Sequence, residues 1–146
     1  MQEESKLKHA ELTEKIIGIY YDAYSEIGHG FLESVYSNCM RIALTEAGLA
    51  VEREVFIPVR FRNHDVGKFK ADLVVETLVL LELNAERALD RSHEAQLLNY
   101  LRATEMEVGL LFNFGAPKPQ FKRLVFENEN KKIRVHPRES AVSSGL

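Results

Sequence analysis

Two acids and an amide interrupt the apolar stretch from Ala71 to Ala85, which reads ADLVVETLVLLELNA. Placing Asp72, Glu82 and Asn84 among leucines and valines is costly unless something compensates the polar groups, and a metal ion is one such partner. If the stretch folds as a hairpin turning near Glu76-Thr77-Leu78, the even spacing of Asp72 and Glu82 puts both side chains on one side of the sheet. Asn84, two residues beyond Glu82, joins them. Facing carboxylates repel, and a hard divalent cation bound through oxygen removes that repulsion. The alternative is a pair of strand-end acids hydrogen-bonded to backbone or to arginine.

Further polar groups lie at helical spacing. His93, Gln96 and Tyr100 form one stripe at steps of three and four residues, and Glu33 and Tyr36 are neighbours in the same way. Each also has a structural reading. Glu33 suits a helix N-terminus through the macrodipole, Tyr36, Gln96 and Tyr100 suit hydrogen bonds that lock helices onto a sheet, and His93 suits a surface position. His29, between Gly28 and Gly30, reads as a loop residue. The sequence has no Gly-rich phosphate loop of Walker type, no Cys/His zinc spacing and no serine in a nucleophile elbow.

The elements that must position these groups follow from periodicity. Ile16, Tyr20, Ala23, Tyr24 and Ile27 give a helix from about Leu12, with Thr13 as N-cap and Gly28-His29-Gly30 as its stop. A second helix is expected from Phe31 to Ala47, with Leu32, Val35, Cys39, Ile42 and Ala43 inward and Gly48 as C-cap. Alternation of period two then marks a strand from Val51 to Phe61, broken by one irregular step before Val55, and Pro58 assigns it to a sheet edge. After a turn at Asn63-His64-Asp65 come strands at 67–75 and 78–83. A helix from His93 to Ala103 capped by Ser92 follows, then strands at 108–114 and 121–126. The order is ααβββαββ, a mixed sheet flanked by helices with the third helix as a parallel crossover.

At 146 residues, 45% hydrophobic and 28% charged, the chain suits one globular domain. We expect a polar segment at 1–11, the domain at 12–126 and a polar, partly mobile tail at 127–146. No apolar run reaches the length of a membrane span and the N-terminus has no signal-peptide core, so a cytoplasmic protein is expected, in keeping with the single Cys39. A net charge of −3 gives no bulk signal for nucleic acid, although a local basic patch remains compatible with it.

Gly30-Phe-Leu-Glu33-Ser-Val-Tyr36 resembles the signature of the GxxExxY protein family, and the segments AD…LELNA, HEAQLLNYL and GLLFNFGAP resemble that family in order and spacing. The resemblance spans about Leu12 to Phe126. It implies a fold of the PD-(D/E)XK nuclease-like superfamily, an α/β restriction-endonuclease-like core. It also implies that Asp72, Glu82 and the Leu83 carbonyl are ligands of Mg²⁺ or Mn²⁺, that Glu33 is an additional acid converging on the same ion, and that Gln96 with Tyr100 corresponds to the QxxxY element of one nuclease branch. The expected activity is phosphodiester hydrolysis.

The chain departs from that pattern at Asn84, where the superfamily has a lysine that orients the attacking water or offsets charge in the transition state. Lys70, two residues before Asp72, is a candidate substitute, or else a solvent-facing lysine that offsets nearby acids. The competing expectation is a catalytically inactive domain of the same fold that binds nucleic acid or a protein partner. Nothing in the sequence specifies a homo-oligomer.

Overall fold

The computed structural model describes residues 9–131. The segment expected to be polar at 1–11 and the tail at 127–146 therefore lie largely outside the described residues. Helix α1 (Ala10–Ile27) and helix α2 (Glu33–Glu46) open the chain. Strands β1 (Val51–Phe61), β2 (His64–Val75) and β3 (Val79–Asn84), helix α3 (Arg91–Arg102) and strands β4 (Val108–Asn113) and β5 (Gln120–Val125) follow. The strands form one sheet in the order β1-β2-β3-β4-β5. Only β3 and β4 run parallel, joined through α3, and every other neighbouring pair is antiparallel. This is the mixed sheet with flanking helices that the sequence predicts, and Pro58 stands on the edge strand β1 as its missing N–H requires.

The sheet buries both faces. On one, Tyr20, Tyr36, Met40 and Leu44 from α1 and α2 pack on Leu73, Leu81, Leu83 and Phe112. On the other, Leu97 and Leu101 from α3 pack on Ile57, Val74, Leu80 and Leu111. Each fully buried large apolar side chain contributes roughly 1.5–3 kcal/mol. Gly109 lets α3 approach, since a Cβ there would fall 2.9 Å from the Leu97 side chain.

Several local expectations are corrected. Thr13 lies inside α1, its hydroxyl donating to the Ala10 carbonyl, and the N-cap is His9. Helix α2 buries Tyr36, Met40 and Leu44, whereas Leu32 is 77% and Ile42 48% exposed. The helix is rotated from its expected phase because Tyr36 can be buried at no polar cost: its hydroxyl donates to the Gly28 carbonyl and accepts the Phe31 N–H. Helix α3 is capped by Asp90, which accepts the N–H groups of Ser92 and His93, while His93 Nδ1 accepts the Asp90 N–H. Ser92 is therefore a partner of the cap, not the cap. After β5 the chain makes a 3₁₀ turn at Asn128–Asn130 and seats Lys131, whose ammonium donates to the carbonyls of Thr104 and Met106.

Candidate functional site

The β2–β3 ladder pairs Val75 with Val79, Val74 with Leu80 and Leu73 with Leu81. The next positions in that register are Asp72 and Glu82, and there side chains replace the ladder. The Leu83 N–H donates to Asp72 Oδ2 at 2.7 Å and the Asp72 N–H donates to Glu82 Oε2 at 3.2 Å. Each acid thus satisfies a backbone donor on the opposite strand. In a strand the N–H and C=O of one residue point to the same side, so the Leu83 carbonyl lies along the edge that faces Asp72.

On its other side Asp72 meets an irregularity in β1. Arg53 pairs with Leu73 and Val55 with Ala71, and between them Glu54 holds φ 49°, left-handed backbone that a side chain enters at a cost. Leu73 packs with α1 and α2, whereas Ala71, two residues earlier, packs with α3. Alternation alone would keep them on one face, so the strand changes faces at Asp72. This is the irregular step that the sequence shows before Val55.

A cavity of about 190 Å³ opens at this point, lined by Glu33, Ser34, Arg53, Lys70, Asp72 and Leu83 among others. Glu33 opens α2, and the Tyr36 hydroxyl ties down the preceding loop. Tyr36 also stacks on Phe114, with ring centroids 4.2 Å apart, which anchors this end of the helix to the strand ends.

Burial acts on all three acids in one direction, and neighbouring carboxylates add to it. Burial, then the charges of Asp72 and Glu33, push Glu82 up to about 8 against the opposing Asp72 N–H. Burial raises Asp72, with the Leu83 N–H and Lys70 offsetting part of the effect. Burial raises Glu33 too, helped by Asp72 and Glu86 and opposed by the Ala85 N–H and His93. Tyr100 is raised by burial and by the charges of Glu82 and Asp72, against its hydrogen bond with Gln96. Tyr100 therefore belongs to the same electrostatic neighbourhood.

The candidate residues divide as follows. Asp72 and Glu82 are brought together through the backbone, Glu82 accepting the Asp72 N–H and Asp72 accepting the Leu83 N–H. Lys70 lines the cavity, its ammonium 3.5 Å from Glu54. Gln96 donates to the Tyr100 hydroxyl at 2.6 Å, and the Tyr100 ring stacks on Phe69 with centroids 3.7 Å apart. Asn84 ends β3, its carbonyl accepting the Phe114 N–H. Glu33 couples to the pair through charge across the cavity, and among the described residues no three His, Cys, Asp or Glu side chains form a group able to hold a metal ion. The three-acid convergence expected from sequence is reduced to two acids.

That donor set still suits a hard cation. Mg²⁺ and Mn²⁺ keep several water ligands and need one or two protein carboxylates, and a divalent ion would offset the burial cost of both carboxylates and the repulsion that Asp72 and Glu33 exert on Glu82. Sequence reasoning missed Glu54, Arg53, Glu86 and the supporting amide Asn113. Buried Asn113 accepts the N–H groups of Glu86 and Gly115 and donates to the Glu86 carbonyl and Gln120, which fixes the loop after β3.

A family model described as the PD-(D/E)XK nuclease superfamily matches residues 10–124. The chain belongs to that superfamily. No curated protein and no solved structure shows significant similarity to the chain. The matched span of this PD-(D/E)XK protein contains every candidate residue from Glu33 to Tyr100, and its five-stranded mixed sheet is the architecture of the superfamily. No helix among the described residues is long and apolar enough to cross a membrane.

Proposed function

We propose that this PD-(D/E)XK protein is a metal-dependent phosphodiester hydrolase acting on nucleic acid, of the GxxExxY type. The observation that carries the reading is the reciprocal capture of backbone N–H groups by Asp72 and Glu82 where their ladder opens. It holds the two carboxylates together beside the cavity that Asp72 and Leu83 line, where burial raises the proton affinity of both acids.

Asp72, Glu82 and the Leu83 carbonyl would hold Mg²⁺ or Mn²⁺. Such an ion supplies Lewis acidity, which activates water and offsets charge on the phosphate oxygens. Glu33 lines the same cavity, where burial raises its proton affinity, and is the candidate for proton transfer there. Lys70 brings an ammonium to the same cavity and Asn84 a neutral donor to the end of β3. Gln96 fixes the Tyr100 hydroxyl, which orients the substrate backbone. A cytoplasmic site of action fits the single cysteine.

A second reading, a non-catalytic domain that binds nucleic acid or a protein partner, is favoured by two features: Asn84 has no charge, and the Lys70 ammonium is paired with Glu54. The test is incubation of purified protein with Mn²⁺ and single- or double-stranded DNA or RNA, beside Asp72→Ala. Cleavage lost in the variant supports the hydrolase. Intact substrates in both samples sink it, and a calorimetric Mn²⁺ signal abolished by Glu82→Ala would then favour the binding domain.

A further inference from the structure

The hairpin of β1 and β2 extends well past the body of the sheet. Its two strands pair from Val51 with Val75 out to Phe61 with His64, whereas β3 accompanies β2 only from Leu73 to Val75. The two faces of the projecting part differ. Val55, Ile57, Phe69 and Ala71 turn towards α3, where Phe69 lies on the Tyr100 ring. The opposite face carries Phe56 across from Lys70, Pro58 across from Lys68, and Arg60 across from Asp65. Phe56 is 60% exposed there, with the Lys68 ammonium 4.9 Å from its ring centroid.

Charge is concentrated on this arm. Residues 53–70 hold five Lys or Arg against two Asp or Glu, a net of +3 in a chain of net −3, so everything else sums to −6. The basic face does not end in solvent. It runs through Lys70 into the cavity that Lys70 and Arg53 share with Asp72 and Glu33. At about 3.3 Å per residue, the stripe from Arg60 to the level of Asp72 is about 20 Å long.

We propose that this face of the β1–β2 hairpin, built from Phe56, Arg60, Lys68 and Lys70, binds an unpaired nucleic-acid strand and leads it to the Asp72–Glu82 edge. The inference rests on the proposed action on nucleic acid. A polyanion is the partner that the charge contrast favours, because the arm carries a net +3 while the rest of the chain sums to −6. The ion pairs Arg60–Asp65 and Lys70–Glu54 are surface pairs at 3.2 and 3.5 Å, weak enough for phosphates to displace. The exposed Phe56 ring favours an unpaired strand, since stacking needs a free base face and is sequence-tolerant.

The test is fluorescence anisotropy in EDTA, without divalent ions, using labelled 20-nucleotide DNA and RNA strands and the corresponding DNA duplex. We expect the wild-type protein to bind a strand, and Arg60→Ala/Lys68→Ala to weaken it at least tenfold. The slope of log affinity against log salt should flatten by about 1.4, at about 0.7 for each lost phosphate contact on a single strand. Phe56→Ala should weaken strand binding about fivefold or more and leave the duplex unaffected, whereas Lys118→Ala/Lys122→Ala should bind as wild type. In wild-type protein, where folding is not at issue, the bound strand should protect Lys68 but not Lys118 from acetylation read by mass spectrometry. Absence of binding to either strand, unchanged affinity and slope in the folded double variant, or a Phe56→Ala variant that binds as wild type would overturn the proposal. Strand binding without cleavage in Mn²⁺ would sink the hydrolase alone, and cleavage with undiminished binding by the double variant would sink the arm alone.

Discussion

The Asp72 N–H donates to the Glu82 carboxylate while Asp72's own carboxylate accepts the Leu83 N–H, so each acid closes a gap in the ladder made by the other's strand. Two acidic groups are thereby held together in a half-buried place. Glu82, pushed up to about 8 by burial first and Asp72 second, titrates well above its usual 4.5. A carboxyl raised in the folded state contributes stability that is full below its unfolded pKa and is lost as pH rises through the folded value. Metal-free protein should therefore lose stability between about pH 4.5 and 8. Glu82→Gln should flatten that loss and stabilise the protein at pH 8 by a few kcal/mol at most, since each tenfold change in proton affinity corresponds to about 1.4 kcal/mol. Thermal melts in EDTA at several pH values check this. With Mn²⁺ the order should invert, since the ion competes with the proton: stabilisation of wild type by Mn²⁺ should grow from pH 6 to 8 and be absent from Glu82→Gln. A variant that melts with the same pH slope as wild type would show that Glu82 is not the raised group.

Much of this arrangement was legible in the sequence because it depends on period. The ααβββαββ order and the meeting of Asp72 with Glu82 follow from alternation and a short hairpin turn, and the edge position of β1 from Pro58. Phase was harder to read. Helix α2 and its N-cap carry Leu32, Val35 and Ile42 on one stripe and Tyr36, Met40 and Leu44 on another, and hydropathy favoured the first. The helix buries the second because the Tyr36 hydroxyl finds Gly28 and Phe31, partners that no local pattern announces. Glu54 left a visible trace, the broken alternation before Val55. Its consequence, a change of face at Asp72, required knowing which residue of β2 lies opposite. Glu33 was legible as an acid near the site but not its distance from the other two, which is set by how α2 docks.

Gly115 makes a second prediction. A Cβ at this position would fall 2.4 Å from the backbone of Ala85 and Glu86, atoms that cannot yield as a flexible side chain can. The same segment is pinned by Asn113, and its Ala85 N–H lowers the Glu33 pKa. Gly115→Ala should therefore destabilise the fold by about 2–4 kcal/mol and move the loop that contacts Glu33. Urea unfolding of the variant gives the magnitude. A midpoint unchanged from wild type would mean that the loop after β3 can retreat without loss.

Tyr100 separates packing from chemistry. Its ring stacks on Phe69 at an interplanar angle of 3°, and its hydroxyl meets Gln96. Tyr100→Phe keeps the ring and should leave stability within about 1 kcal/mol of wild type, whereas Tyr100→Ala should lose about 2 kcal/mol or more. If the hydroxyl orients the substrate, Tyr100→Phe should nevertheless slow cleavage about tenfold. Equal cleavage by wild type and Tyr100→Phe would assign the residue to the stack alone.

The most direct question about chemistry is put by Asn84. Glu82 and Asn84 alternate with Leu83, which faces α1 and α2, so the Asn84 side chain shares the side of β3 on which Glu82 lies. A lysine there would bring a positive charge beside a carboxylate that now favours its proton. Asn84→Lys should therefore lower the Glu82 pKa and strengthen electrostatic stabilisation of the reacting phosphate. One such group is worth about 10²–10³ in rate elsewhere, so cleavage in Mn²⁺ should rise at least about tenfold and its pH profile move to lower pH. Lys70→Ala measured in both backgrounds identifies the working cation. If Lys70 now serves that role, its removal should abolish wild-type cleavage and matter little once position 84 is lysine. If Lys70→Ala is silent in both and Asn84→Lys brings no gain, neither ammonium acts on the phosphate, and the acids at the open ladder serve binding rather than turnover.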